Sequence, residues 1–407
     1  MRISLRTTGI GLLGKTALIG LFAGALPAGA MAESGVTDTT IKIGLFGPLT
    51  GPAAIHGQPV NNGPISVYME QNEKGGVHGR KFVFVQEDSA CEATKALAAV
   101  KKLIHQDKVF MIHGGTCSTA VSATTEEVVK SGVPHLLMAA TMDKLTAPVK
   151  KNIFTVQMTG SADGRGMARF AASIPGVKKV AIVGRNNDWA ETKIQPMRQY
   201  FKEKGIEVVA RETLEANASD ATAQALKLKK VDPDVIILVN YPTESATLLR
   251  DAWKYGLRSK SKDSPAVIVS TPDLLDLVER VGNKEVLQDL YGITVIAGPF
   301  GSPEMKKWEG IRYKHFPNDI KKSVAYQGVA GATVVIEALK RVGRDVTREK
   351  FLAAMEGTKG LKDHGAACSI SFSASSHQGC NDPTVWTLTP DGKVVNLGPV
   401  WRDLSKN

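Results

Sequence analysis

The sequence predicts an α/β protein in which two parallel sheets are covered by helices. Short apolar runs alternate with stretches of helical length along most of the chain, as strand–helix–strand units require. Most of these runs are apolar almost throughout, which suits strands buried on both faces. They number about nine, many for one compact domain but comfortable for two sheets.

Taken in order, the candidate strands are residues 41–46, 81–86, 109–113, 135–138, 179–183, 207–211, 234–239, 266–270 and 292–296. Between them lie helical patterns at 58–72, 92–106, 118–130, 189–204, 220–230 and 244–255. Further helices follow at 324–341 and 347–355, and residues 369–400 turn strand-like again around a Thr389-Pro390-Asp391-Gly392 turn. No long Pro, Ser or Gly linker divides the chain, so several short crossings should join its parts.

Of the 407 residues, 43% are hydrophobic and 22% charged, and the mean hydropathy is near zero, a soluble globular profile. The net charge is +11, but the basic residues are scattered or in short groups such as 227–230. That pattern suits a solvated surface and excludes a nucleic-acid groove. Arg2, Arg6 and Lys15 precede an apolar run at 17–26, and Ala30-Met31-Ala32 offers small residues where signal peptidase cleaves. An export signal over residues 1–32, cleaved before Glu33, is expected. The run is too short for a comfortable membrane span. Gly9-Ile10-Gly11-Leu12-Leu13-Gly14-Lys15-Thr16 fits the phosphate-loop pattern letter for letter. No strand can precede it, and the segment should be removed on export, so the match is chance.

Cys91, Cys117, Cys368 and Cys380 make an even count, which in an exported chain reads as disulfides. Three connectivities are possible and sequential pairing is the simplest. It would close loops worth ~3.5 kcal/mol for Cys91–Cys117 and ~2.8 kcal/mol for Cys368–Cys380. No Cys-x-x-Cys occurs and the His residues are not at ligand spacing, so no metal is expected.

Ligands of open α/β sheets bind beyond the carboxyl ends of strands, near helix N-termini. The segments at those places include Gly47-Pro48-Leu49-Thr50-Gly51-Pro52, Gly114-Gly115-Thr116-Cys117-Ser118-Thr119, Ala139-Ala140-Thr141, Asn186-Asn187-Asp188-Trp189, Asn240-Tyr241-Pro242-Thr243-Glu244 and Ser270-Thr271-Pro272-Asp273. Hydroxyls, small residues, an acid and aromatics are what a small zwitterion needs. Ser118 is placed to cap the helix that follows it while offering its hydroxyl and nearby N–H groups to a carboxylate. Glu244 is expected to face solvent on its helix.

The same segments carry a resemblance. Ile43-Gly44-Leu45-Phe46-Gly47-Pro48-Leu49-Thr50-Gly51, Gly75-Gly76-Val77-His78-Gly79-Arg80, Glu87-Asp88-Ser89-Ala90-Cys91 and Gly114-Gly115-Thr116-Cys117-Ser118 stand in order along the chain. Together they resemble the branched-chain amino acid-binding proteins of ABC importers, with the type I periplasmic binding fold. The resemblance covers essentially the whole chain after residue 32. It implies two doubly wound, Rossmann-like lobes joined by a three-strand hinge, closing on ligand like a clamp. The lobes would be 33–157 with 298–364, and 158–297 with 365–407. It implies one disulfide between the segments holding Cys91 and Cys117, to which Cys368 and Cys380 are additional.

The resemblance also implies roles. Ser118 is similar to the residue that binds the ligand carboxylate, while Ala139 and Thr141 offer a carbonyl and a hydroxyl to the ammonium. Asp273 stands where the family places an acid, usually Glu, against that ammonium. Trp189 and Tyr241 match aromatic positions on the second lobe, and His56, a loop residue, stands where a Tyr is frequent. The implied function is a periplasmic receptor, monomeric and without cofactor. It would deliver an amino acid-like ligand to the inner-membrane permease of an ABC importer. An amide, urea or aromatic carboxylate as ligand, or a role as ligand sensor, is the alternative. No Gly-x-Ser-x-Gly elbow and no His-Glu-x-x-His occurs, so an exported enzyme is not expected.

Overall fold

The computed structural model describes residues 33–400 save for 52, 260–263, 271–273, 299, 322, 367, 381 and 390. The segment expected to be an export signal and Asp273 therefore lie outside the described residues. Twelve strands are described: β1 (Thr40–Gly47), β2 (Lys81–Asp88), β3 (Met111–Gly114), β4 (His135–Leu137), β5 (Ile153–Thr155), β6 (Lys179–Arg185), β7 (Glu207–Leu214), β8 (Val235–Val239), β9 (Ala266–Val269), β10 (Leu290–Thr294), β11 (Thr384–Leu388) and β12 (Val394–Pro399). The α-helices are α1 (Ala54–Glu73), α2 (Ala93–Lys101), α3 (Ser118–Ser131), α4 (Gly160–Ser173), α5 (Asp188–Lys204), α6 (Thr222–Val231), α7 (Pro242–Lys254), α8 (Leu274–Val281), α9 (Lys306–His315), α10 (Tyr326–Val342) and α11 (Arg348–Glu356).

Two sheets form, ordered β2-β1-β3-β4-β5 and β12-β11-β10-β9-β8-β6-β7. The first is parallel throughout, with Thr40 opposite Lys81 and Gly47 opposite Asp88 at its β1–β2 pair. The second is parallel from β7 to β10, and β11 and β12, the strand-like segment expected near the end of the chain, pair antiparallel at its edge. All five residues of β8 are buried, as a central strand covered on both faces demands.

The strand order reverses between β1 and β3 in the first sheet and between β6 and β8 in the second. At such switch points the connections leave toward opposite faces and open a crevice beyond the strand ends. Those are the places where the structure holds Pro48, Ser118, Trp189 and Tyr241.

Several elements differ from the sequence expectation. The helix expected at 58–72 begins at Ala54, so His56 lies in the first turn of α1 and not in a loop. The helix expected at 92–106 stops at Lys101 and continues as a π-helical turn, Lys102–Gln106. The strand expected at 292–296 lies two residues earlier. β5, α8 and α9 were not anticipated, nor was α4, whose Gly160, Gly164 and Gly166 depress helix propensity.

The connection from β5 to α4 runs through residues 156–159. The later segment around 366–380 returns beside it: Thr155 N–H donates to His377 O (2.9 Å) and Gly379 N–H donates to Thr155 O (2.8 Å). A single bridge joins Ile296 to Ala366. Cys368–Cys380 closes this returning segment, and Cys91–Cys117 ties the end of β2 to the start of α3, with Cα separations of 5.8 and 5.5 Å. Sequential pairing is thus the connectivity observed. No helix among the described residues is long and apolar enough to cross a membrane.

Candidate functional site

The loops beyond both switch points line one cavity, which brings together His56, Ser118, Ala139, Thr141, Trp189 and Tyr241. Its first wall is built on β1, β3 and β4. The loop after β1 is held by Asp88, whose carboxylate accepts the N–H groups of Leu49 and Ala90, both at 2.8 Å, and the Thr50 hydroxyl. Burial opposes charge on Asp88, but these hydrogen bonds outweigh it and hold its carboxyl below the usual range.

Ser118 does not cap α3. Cys117 occupies the N-cap position and offers no side-chain acceptor, so Ser118 is the first helical residue. The early N–H groups of α3 therefore have no side-chain cap, the condition in which a helix start accepts an anion. Thr141 N–H donates to Ser118 Oγ at 2.9 Å. That bond fills an acceptor position of the hydroxyl and leaves its own proton to be donated. The hydroxyl oxygens of Thr116 and Thr141 are buried on this wall and have no partner among the described residues.

The second wall comes from α4, α5 and the ends of β8 and β9. Trp189 and Tyr241 lie 5.0 Å apart between ring centroids, tilted by 48°. The Arg185 guanidinium sits 4.5 Å from the Tyr241 centroid, and Lys193 Nζ sits 4.4 Å from that of Trp189. Tyr241 is at the rim, 41% exposed. Behind the aromatics, Lys193 Nζ donates to Asp163 Oδ2 and to Ser270 Oγ, both at 2.5 Å, and Ser270 Oγ–H donates to the same Oδ2 at 2.9 Å. Asp163 Oδ1 and Asn240 Oδ1 are left buried without a partner among the described residues.

Close helix approach makes this arrangement possible. A Cβ on Gly160 would stand 2.3 Å from Thr192 Oγ1, and one on Gly164 2.1 Å from the Lys193 carbonyl oxygen. Only bare glycine backbone lets α4 lie near enough to α5 for Asp163 to meet Lys193. Sequence reasoning missed Asp163, Lys193 and Thr116. The one available signal was the Gly160, Gly164 spacing of four residues, one helical face. Glu244, expected at the surface, is buried. Its Oε1 accepts Asn217 N–H at 2.7 Å and lies 4.0 Å from Arg185 Nε. It braces a loop outside the cavity.

Behind the first wall two buried histidines are held neutral. Burial and the neighbouring His135 push His113 down to about 3, and burial pushes His135 down to about 4. Tyr68 Oη lies 2.9 Å from His113 Nδ1, and His135 Nε2 lies 3.0 Å from Gly114 O, at the end of β3. One cluster among the described residues, Glu70, Glu73 and His315, has metal-ligand spacing. Lys314 already pairs with both of its carboxylates, so it is an ion-pair network.

Residues 40–393 match the model of a family described as periplasmic binding protein. Among curated proteins, the chain is 30% identical over 247 residues to the leucine-, isoleucine-, valine-, threonine- and alanine-binding protein of Pseudomonas aeruginosa, covering 61% of this chain and 66% of that one. Among solved structures, it is similar to the branched-chain amino acid transporter substrate binding protein of Streptococcus pneumoniae in complex with isoleucine (TM-score 0.76, 22% identity, 89% of this chain and 100% of that one). It is also similar to the fatty acid ABC transporter substrate-binding protein of Thermomonospora curvata (TM-score 0.78, 22% identity, 94% and 97% covered).

Proposed function

The chain belongs to the periplasmic binding protein family, one of solute-binding proteins and not of enzymes, and from that premise we propose that it captures a small amino acid-like solute for an ABC importer. The observation that carries this reading is the pair of unpartnered hydroxyls, Thr116 and Thr141, beside the uncapped start of α3. Buried polar atoms without partners cost stability unless a ligand completes them.

In this reading the carboxylate meets the Ser118 hydroxyl and the first N–H groups of α3. The ammonium meets Thr141 Oγ1, the Ala139 carbonyl and Asp273. Trp189 and Tyr241 cover the side chain from the second lobe, and His56 closes the mouth from α1. The proposed lobes are 33–157 with 298–364, and 158–297 with 365–407. Ligand bridging them favours the closed form by its differential affinity for the two forms. Residues 1–32 direct export to the periplasm and are cleaved before Glu33, and the loaded monomer docks on its inner-membrane permease.

The test is a thermal-shift screen of the mature protein, freed of ligand by unfolding and refolding with disulfides intact. Branched-chain, aromatic and other amino acids are compared with amides, urea, aromatic acids and fatty acids. A ligand present at a thousandfold its dissociation constant adds about 4 kcal/mol of stability. A response to amino acids, weakened several kcal/mol by Asp273→Asn, supports the zwitterion. A response only to amine-free acids, such as the relative from Thermomonospora curvata takes by its name, keeps the receptor and removes the ammonium site.

A further inference from the structure

The ammonium and carboxylate of a zwitterion leave one charged feature of the cavity unused. Asp163 is 8% exposed and Lys193 4%, so the pair is desolvated, and both residues line the cavity with Ser270. All their mutual contacts fall on one carboxylate oxygen: Oδ2 takes both the Lys193 ammonium and the Ser270 hydroxyl. The other oxygen, Oδ1, is buried with no partner among the described residues. Lys193 is occupied by Oδ2, Ser270 Oγ and the face of Trp189, so it is an orienting group and the carboxylate does not turn freely.

We propose that Asp163 is a specificity-determining acceptor, whose Oδ1 receives an N–H or O–H donor carried by the ligand's side chain. This inference rests on the small-solute reading above and names the ligand class further: acids with a hydroxyl, amide or amino group beyond the head group. The Asp163–Lys193 pair is neutral as a whole, so the site asks the ligand for a hydrogen and not for a charge. A hydrocarbon side chain against Oδ1 would shut a carboxylate oxygen away from water unpaired, and sites built to hydrogen-bond a substrate reject the analogue lacking the donor strongly. The close α4–α5 packing that Gly160 and Gly164 permit, which also buries a hydrophobic core, brings this pair to the cavity wall.

The test uses matched pairs differing by one donor: threonine and valine, tyrosine and phenylalanine, 4-hydroxybenzoate and benzoate. Calorimetric titration of the refolded mature protein should show the hydroxylated member binding at least about tenfold tighter in any pair that binds. In the double variant Asp163→Leu with Lys193→Met, which removes both charges together, that ratio should fall to about one while the hydrocarbon member still binds. Equal affinities in the wild type, as would follow if Oδ1 took the α-ammonium common to both members, overturn the inference and leave the amino acid reading standing. So does a ratio unchanged in the double variant. If only the benzoate pair binds, the ammonium reading falls and that pair alone decides the inference. Silence from all six probes overturns both. Should the double variant not fold, the wild-type ratios decide.

Discussion

Thr141 gives two of its polar groups to the fold and leaves a third for the proposed ligand. Its N–H orients Ser118, its carbonyl accepts Gly160 N–H at 2.6 Å, and its hydroxyl is left over. Thr141→Val removes only that hydroxyl. The empty protein should be unchanged or slightly more stable in urea, because a buried unpaired group is removed, while ligand affinity falls by about 1–3 kcal/mol. A loss of stability in the empty protein would mean the hydroxyl has a partner at home. His113 and His135 should make the fold sensitive to acid. Both are neutral when folded and bind protons below about 6.5 when unfolded, so the unfolded state takes up more protons as pH falls. Stability is full above that value and should drop by about 3–4 kcal/mol between pH 7 and pH 5. His113→Gln, which keeps a polar partner for Tyr68, should roughly halve that slope in urea melts run at each pH.

Among the elements, α4 is the one whose sequence and role pull apart. Its glycines weaken the isolated helix, yet Gly160 and Gly164 are what permit its packing on α5. Gly164→Ala should therefore destabilise the protein by about 1–3 kcal/mol despite the better propensity of alanine, since its Cβ would meet the Lys193 backbone. Gly310, in α9, is the control: nothing lies within 4 Å of a Cβ there, and Gly310→Ala should stabilise by about 0.5–1 kcal/mol. Equal effects at both positions in urea midpoints would refute the close-packing account. β1, β3, β6 and β8 are the opposite case, since their apolar runs are complete in themselves and only the order in which they pair came from the fold.

At the scale of the whole molecule, the two disulfides act on different parts. Cys91–Cys117 ties β2 to α3 on the cavity wall, and Cys368–Cys380 closes the segment that returns beside β5. Replacing each pair by serine should cost ~3.5 and ~2.8 kcal/mol in the chain-entropy account, the longer loop more. A reversed order in urea unfolding would show that native contacts, and not loop length, decide. The Cys91–Cys117 variant should also weaken ligand binding, because the start of α3 is anchored through that bond.

The sequence by itself determined the α/β class, nearly all the strands, the first-wall loops and the family. These are local patterns: apolar runs, glycine and hydroxyl punctuation after a strand, and short motifs in order. Only the tertiary structure decided that α4 is a helix, that Glu244 is buried, that Ser118 stands inside α3 and not at its cap, and that Asp163 faces the cavity beside Lys193. Asp163 and Lys193 are 30 residues apart and belong to different helices. No local pattern can report a contact that exists only when the glycine face of α4 lets α5 approach.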